Sequence, residues 1–543
     1  MKNNEILMDV IGETDEKLIP SLQQKKKNIT RWIILGGMCA AAVICGVIMM
    51  PKNDADDISV IKDRPGSGTT TQSAGNIPDE VPPATEFVPA ETEHIPADKD
   101  DTMTYGVSGV TKSVPAGKAT VLSKAVYPEM APYPALAEES TYMSDPVDPF
   151  DAWYDSVRSV RNQPEGYDEG FDKFFSASAP IFLADAGNEN RVYSPLSLYM
   201  ALAMTAEVSD GNTRQQLLDA LSSRDIDTLR SHARSVWLAN FMDDGASKSI
   251  LANSMWTNRL KSYNPDTVKN VSDNYYASVF SGSPESDEYN EMFRNWINEQ
   301  TDGLLSDNIQ DHRMSPDMVL TLASTVNYSG KWAEAFDKER TAEGTFHAPD
   351  GDIQCDFLNG DMLTSFCRGE NFAAVSLDIE GNGSVRLILP DDGVTVSELI
   401  NDSRTMDYMM KRSVYDDSIR ACTHISLPAF DVSSETDLID GMKKMGITDA
   451  FDANTADFSP LCDGDIAITK AEQASRVVID EDGCKAASYT VIEMTEGFEE
   501  ISPDEISITF DKPFIFEIVS ETGMPVFTGI VNTPVNIPTD ISE

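Results

Sequence analysis

Residues Trp32 to Met50 (WIILGGMCAAAVICGVIMM) form an uncharged run of 19 residues. An α-helix needs about 20 apolar residues to cross ~30 Å of hydrocarbon, so the run predicts a transmembrane helix over 32–50. Lys25, Lys26, Lys27 and Arg31 precede it, and Asp54, Asp56 and Asp57 follow. The positive-inside rule then leaves residues 1–31 in the cytoplasm and everything after residue 50 outside the cell. A cleaved signal peptide is the alternative. Thirty-one residues before the apolar run make a long leading segment, and no small-x-small site follows closely, which favours an uncleaved signal anchor. Cys39 follows Met38 and Cys45 follows Ile44, so neither has the small neighbour of a lipoprotein signal.

Beyond the run, residues 51–165 divide in two. Up to about residue 103 the chain is rich in Pro, Thr, Asp and Glu and poor in large apolar residues, which predicts an acidic, extended stalk. After residue 104 the segments VYPEMAPYPALA and DAWYDSVRSVRN carry aromatic residues, the latter reading as a short helix, and the stretch stays unassigned. A formal charge of −48 over 543 residues excludes nucleic acid as a partner, because one polyanion repels another. Of seven cysteines, five lie outside the apolar run with no C-x-x-C or Cys/His spacing, and Cys355 with Cys367 is the one candidate pair.

From about residue 166 to 536 helical and strand-like patterns alternate without a break. Asp168 to Leu183 predicts an amphipathic helix with Phe171, Phe174 and Phe175 on one face. Ser194 before Pro195 has the chemistry of a helix start, and the apolar run Leu198 to Met204 predicts a buried helix. Gly211 then suits a helix end, with Thr213 and Gln216 as a capping box for the next helix. Met318 to Trp332 reads as a central strand covered on both faces, followed by strands at 424–432, 505–520 and 525–532. The fold class is α+β in a multidomain chain, with residues 537–543 a short tail.

Enzyme signatures are missing: no G-x-S-x-G, no H-E-x-x-H, no G-x-x-x-x-G-K-[ST], and only five histidines. No catalytic residue, cofactor or metal ligand is assigned, and a hydrolase reading is disfavoured. The block NRVYSPLSLYMALAMTAEVSDGNTRQQLL, from residue 190, resembles the serpin family of serine protease inhibitors. Further blocks follow in the family's order: FRNWINEQTDGLLSDNI, LASTVNYSGKWAEAFDKERTAEGTFH, ISLPAFDVSSETDLIDGMKKMGITDAF, ADFSPL, VVIDEDGCKAASYT, FDKPFIFEI and FTGIVNTP. With the anchor, the chain looks like a membrane-anchored, bacterial-type member.

The resemblance implies three β-sheets with eight to nine helices and an exposed reactive loop. A target protease, expected to be a serine protease with cysteine proteases as a second class, cleaves that loop, which then inserts into the large sheet and traps the acyl-enzyme. The implied protein is a monomer. Carried over by resemblance, Ser194, Ser197 and Asn327 are the polar cluster where the sheet parts, Trp332 stands at its top, and Ser426 with His424 replaces the histidine that many relatives place before Leu-Pro. A non-inhibitory serpin acting in binding or transport is the alternative.

The family's hinge is Glu-Glu-Gly-Thr and small residues; here it reads Glu481, Asp482, Gly483, Cys484, Lys485, Ala486, Ala487, Ser488, Tyr489, Thr490. Side chains alternate along a strand, so only one set must fit a packed sheet. If Cys484 faces inward, so do Ala486, Ser488, Thr490, Ile492 and Met494, all small or apolar and uncharged. No proline interrupts Gly483 to Ser502. Counting forward from Gly483 as in relatives puts the scissile bond at Gly497, and counting back from Lys512-Pro513 points nearer Ser502. The window therefore includes Met494, Glu496, Gly497, Phe498, Glu499 and Ser502. It holds no Lys or Arg, which disfavours trypsin-like targets.

Overall fold

The computed structural model describes residues 38–49, 119–134, 149–410, 418–483 and 501–534. Strands in chain order are β1 (Met38–Met49), β2 (Thr120–Ser123), β3 (Arg191–Tyr193), β4 (Met242–Asp243), β5 (Lys248–Asn258), β6 (Ala277–Gly282), β7 (Met318–Ser329), β8 (Ala342–Ala348) and β9 (Gly351–Arg368). They continue as β10 (Phe372–Ile379), β11 (Gly383–Pro390), β12 (Ile419–Pro428), β13 (Phe430–Asp437), β14 (Ile466–Ile479), β15 (Ile501–Thr509), β16 (Phe514–Val519) and β17 (Pro525–Val531). The helices that matter below are α1 (Pro149–Arg161), α2 (Phe171–Leu183), α3 (Pro195–Glu207), α4 (Gly211–Ala220), α5 (Ile226–Asn240), α6 (Pro265–Asn274), α7 (Asp287–Gln300) and α8 (Ser306–Ile309).

Among the described residues two hydrogen-bonded sheets carry the fold, one running β13-β14-β1-β7-β5-β6-β2 and the other β15-β12-β9-β10-β11-β16-β17-β3. Three sheets were the expectation. The second and third are joined here because the 18-residue β9 pairs β12 along Phe357–Phe366 and β10 along Ser365–Arg368. The first sheet is covered on both faces. One face meets α3, all of whose residues are buried, within the main apolar core. The other meets α7 and α8 through Trp256, Phe293, Ile297, Leu305 and Ile309. β7 is accordingly buried from Met318 to Tyr328 rather than on alternate residues.

The apolar segment expected as a membrane helix is instead β1, antiparallel to β7 on one side and β14 on the other. A run of this length is compatible with either state, since periodicity alone does not separate a fully buried strand from a helix. Val43 and Cys45 are wholly buried in the main core, and Ile44 belongs to the cluster under α7 and α8. Among the described residues no helix is long and apolar enough to cross a membrane.

Other elements also depart from the sequence reading. The folded unit starts before residue 166, because β2 pairs with β6, and α1 buries Trp153, whose Nε1 donates to Asp244 Oδ2 at 3.0 Å. Gly211, at φ +55°, opens α4 rather than closing a helix, and Asp210 is the N-cap. The Thr213–Gln216 box is absent because both side chains bind a neighbouring loop: Thr213 Oγ1 accepts from the Asp457 N–H, and Gln216 Oε1 from those of Thr448 and Asp449. Residues 424–432 divide between β12 and β13, and 505–520 between β15 and β16. Cys355 and Cys367, both buried on β9, are not joined to each other by a disulfide.

Candidate functional site: the central cleft of the first sheet

β7 and β14 flank the cleft that β1 fills. At its upper end β14 stops at Ile479 and the chain turns at Asp480–Gly483, closed by an isolated bridge between Asp480 and Gly483. Trp332, 4% exposed, donates from Nε1 to the Asp480 carbonyl at 2.9 Å. The Phe336 N–H donates to the Glu481 carbonyl at 3.1 Å. Thr341 Oγ1 donates to Glu481 Oε1 at 2.8 Å, and Lys338 Nζ to Asp482 Oδ2 at 2.9 Å. Gly483 has φ +76°, and a Cβ there would stand 2.5 Å from the Trp332 backbone nitrogen, so the turn requires glycine. Burial pushes the Asp480 carboxyl up to about 6, with the charges of Asp482 and Glu481 adding to the shift.

The first three hinge residues are thus anchored on Trp332 and its neighbours. Cys484, Lys485, Ala486, Ala487, Ser488, Tyr489 and Thr490 lie outside the described residues, as do Met494, Glu496, Gly497, Phe498 and Glu499. Ser502 falls in β15, opposite Ala421 of β12, so that end of the scissile window belongs to a paired strand rather than to a loop.

Midway down the cleft, α3 begins. Ser194 is its N-cap, and Ser194 Oγ donates to the Val526 carbonyl of β17 at 2.9 Å while accepting from the Ser197 N–H at 3.4 Å. Ser197 Oγ donates to the Ser324 carbonyl of β7 at 2.8 Å. Gln473, on β14, clamps the same cap: its Oε1 accepts from the Ser194 N–H and its Nε2 donates to the Ser194 carbonyl, both at 3.0 Å. The start of one buried helix is thereby tied to β7, β14 and β17.

Ser194 and Ser197 are therefore brought together, but the other residues carried over with them are not. Asn327 donates from Nδ2 to Asp302 Oδ2 at 2.7 Å, beside the Lys248–Asp302 ion pair and away from Ser194. It is three residues from Ser324, and an odd step along a strand reverses the face. His424 and Ser426 lie on β12 of the second sheet, where His424 is exposed and hydrogen-bonded to Asp361, so neither reaches the cleft. Ser324 and Gln473 take the positions at α3 that Asn327 and His424 were expected to fill. One signal for Gln473 was present in the sequence: on ITKAEQASRVVI it shares the alternating set of Ala471, Ser475 and Val477, while Lys470, Glu472 and Arg476 form the other.

The hydroxyls of Ser324 and Ser475 are buried and find no hydrogen-bond partner among the described residues. Each such group costs about 1–3 kcal/mol. Both border β1: Val43 pairs with Ser324 on one side and Gln473 on the other, and Ala41 pairs with Ser475. Among the described residues no group of three or more His, Cys, Asp or Glu side chains is placed to hold a metal ion.

The family model described as Serpin (serine protease inhibitor) matches residues 177–534. Alpha-1-antitrypsin 1-1 of Mus musculus is 26% identical over 363 residues, covering 64% of this chain and 84% of that protein. Serpin-Z2B of Oryza sativa subsp. japonica is 26% identical over 403 residues, covering 65% and 95%. Among solved structures, the native state of the thermophilic serpin tengpin aligns with a TM-score of 0.59 at 24% identity, covering 68% of this chain and 95% of that one. Thyroxine-binding globulin in complex with thyroxine aligns at 0.57 and 18%, covering 67% and 99%, a likeness of fold. Matched from α2 to the end of β17, over more than half of its length, the chain belongs to the serpin family.

Proposed function

We propose that this protein is an extracellular suicide-substrate inhibitor of serine proteases, tethered to the cell membrane through residues 32–50. Its reactive loop, which begins after residue 483 and is cleaved between Met494 and Glu500, would enter the cleft between β7 and β14 in place of β1 and hold the acylated protease. One observation carries the reading. If an inserted loop continued the Asp480–Gly483 pairing residue for residue, Ala486 would fall opposite Val477, Ser488 opposite Ser475, Thr490 opposite Gln473 and Ile492 opposite Ala471. These β14 residues are the buried set. The loop would thus offer hydroxyls at Ser488 and Thr490 beside the unpartnered Ser475 and Ser324, and Glu493 would fall opposite Lys470. The flanking charges of the apolar run support the tether.

The test compares two charge changes on neighbouring positions. Ala486→Arg puts an unpaired charge into a close-packed sheet, costing several kcal/mol at the step that competes with deacylation. Wild type is expected to form an SDS-stable complex with a serine protease that cuts the loop, and Ala486→Arg to be cleaved at the same bond and to release active enzyme. Lys485→Glu, in the alternate set that faces away from the main core, should trap as wild type does. Equal trapping by all three would sink loop insertion, and cleavage without trapping by wild type would favour a binding or transport role.

A further inference from the structure

The cleft that the proposed mechanism needs empty holds a segment of the same chain. β1 is antiparallel to β14, the direction an inserted loop would take on continuing the antiparallel Asp480–Gly483 bridge. The registers superimpose as well. Cys39 pairs with Val477, Ala41 with Ser475, Val43 with Gln473 and Cys45 with Ala471, the four partners that would fall to Ala486, Ser488, Thr490 and Ile492. The stretch CAAAVIC therefore stands where AASYTVI would stand. In each, the residues at those four positions are small or apolar.

The two occupants differ in one respect. The segment brings no hydroxyl to Ser324 and Ser475, which stay unpartnered among the described residues, whereas the loop brings Ser488 and Thr490. The segment also has a second environment that satisfies its backbone. Over 32–50 it has the length and apolarity of a membrane helix, whose hydrogen bonds close internally as those of a strand close with its neighbours. An occupant that leaves buried polar groups unpaired, and has an alternative outside, is displaceable.

We infer that Met38–Met49 is an intramolecular competitor of the reactive loop: seated as β1 it blocks insertion and keeps the protein a mere protease substrate, and withdrawn into a bilayer it frees the cleft for trapping. The inference rests on the loop-insertion reading above, and the experiment separates the two. Ala471→Cys in the full-length chain puts a thiol opposite Cys45, at a register where neighbouring strands hold Cα atoms within disulfide range. Cys45→Ser on the same background is the control.

In lipid-free buffer under oxidation, a disulfide between Cys45 and the thiol introduced at position 471, identified by peptide mass, is expected. The locked protein, in buffer or with vesicles added afterwards, should be cleaved by a loop-cutting serine protease without forming an SDS-stable complex, and reductant should restore trapping when vesicles are present. On vesicles of phosphatidylcholine and phosphatidylglycerol the cross-link should fall, and complex formation by the unlocked protein should rise on the order of tenfold. Absence of the cross-link in buffer, undiminished trapping by the locked chain, or equal cross-linking on vesicles would each overturn the inference. Failure of wild type to trap with or without vesicles, and whether or not reductant is present, would instead overturn the inhibitor reading.

Discussion

Asp480 is the residue at which the strand becomes the hinge, and its protonation bears on how firmly that turn is held. Its folded value of about 6 stands above the ordinary 3.8, so the native chain keeps a proton that the unfolded chain has lost. Stability from this group therefore falls as pH rises from about 4 to about 6, and the penalty is complete above that range. The rise corresponds to at most about 3 kcal/mol, and partial exposure of the residue reduces this to about 1 kcal/mol. Asp480→Asn, which keeps an acceptor for the Asp482 N–H, should raise the thermal midpoint at pH 7.5 and match wild type near pH 4. An unchanged difference between the two pH values would refute the assignment. At this scale the sequence was partly legible. Ser194 announced itself through Ser-Pro and a greasy helix and Ser197 came with the family resemblance, but Ser324 and Gln473 depend on which face of a strand each residue takes, and a short motif such as Val-Asn-Tyr does not fix a register.

Elements with a period or a cap to mark them were easier to place than one with neither. α2 and α3 appeared where periodicity and capping set them, whereas β1, buried on both sides, has no period to distinguish it from a membrane helix. The capping box at Thr213 failed for another reason: a distant loop recruited both side chains. α1 is the element whose docking extends the domain toward its N-terminus. Trp153 packs edge-on to Tyr133 at 5.1 Å, and Asp244 keeps the N–H groups of Ala246 and Ser247 if the indole is removed. Trp153→Ala should then cost mainly the buried ring, about 3 kcal/mol, with a lowered thermal midpoint. A midpoint equal to that of wild type would show that α1 is not part of the folded unit.

The whole molecule offers a protease a cut only where the chain is not already paired. With Ser502 in β15, the scissile bond is expected between Met494 and Glu500, and mass spectrometry of the released C-terminal fragment should find its first residue between 495 and 501. A fragment beginning after a Lys or Arg would overturn the expectation that trypsin-like enzymes are not the targets. The family and the α+β class were legible because ordered blocks span the domain; the joining of two sheets through β9 was not, since nothing local marks where one strand changes its partner. One consequence of β1 concerns concentration. Residues 50–119 bind the competing strand covalently to the domain it enters, so its effective concentration at the cleft is set by the tether, on the order of a millimolar or below. Dilution cannot change that value, and a free peptide or the segment of a neighbouring molecule must approach it to take the cleft, so in dilute solution each molecule sets its own state.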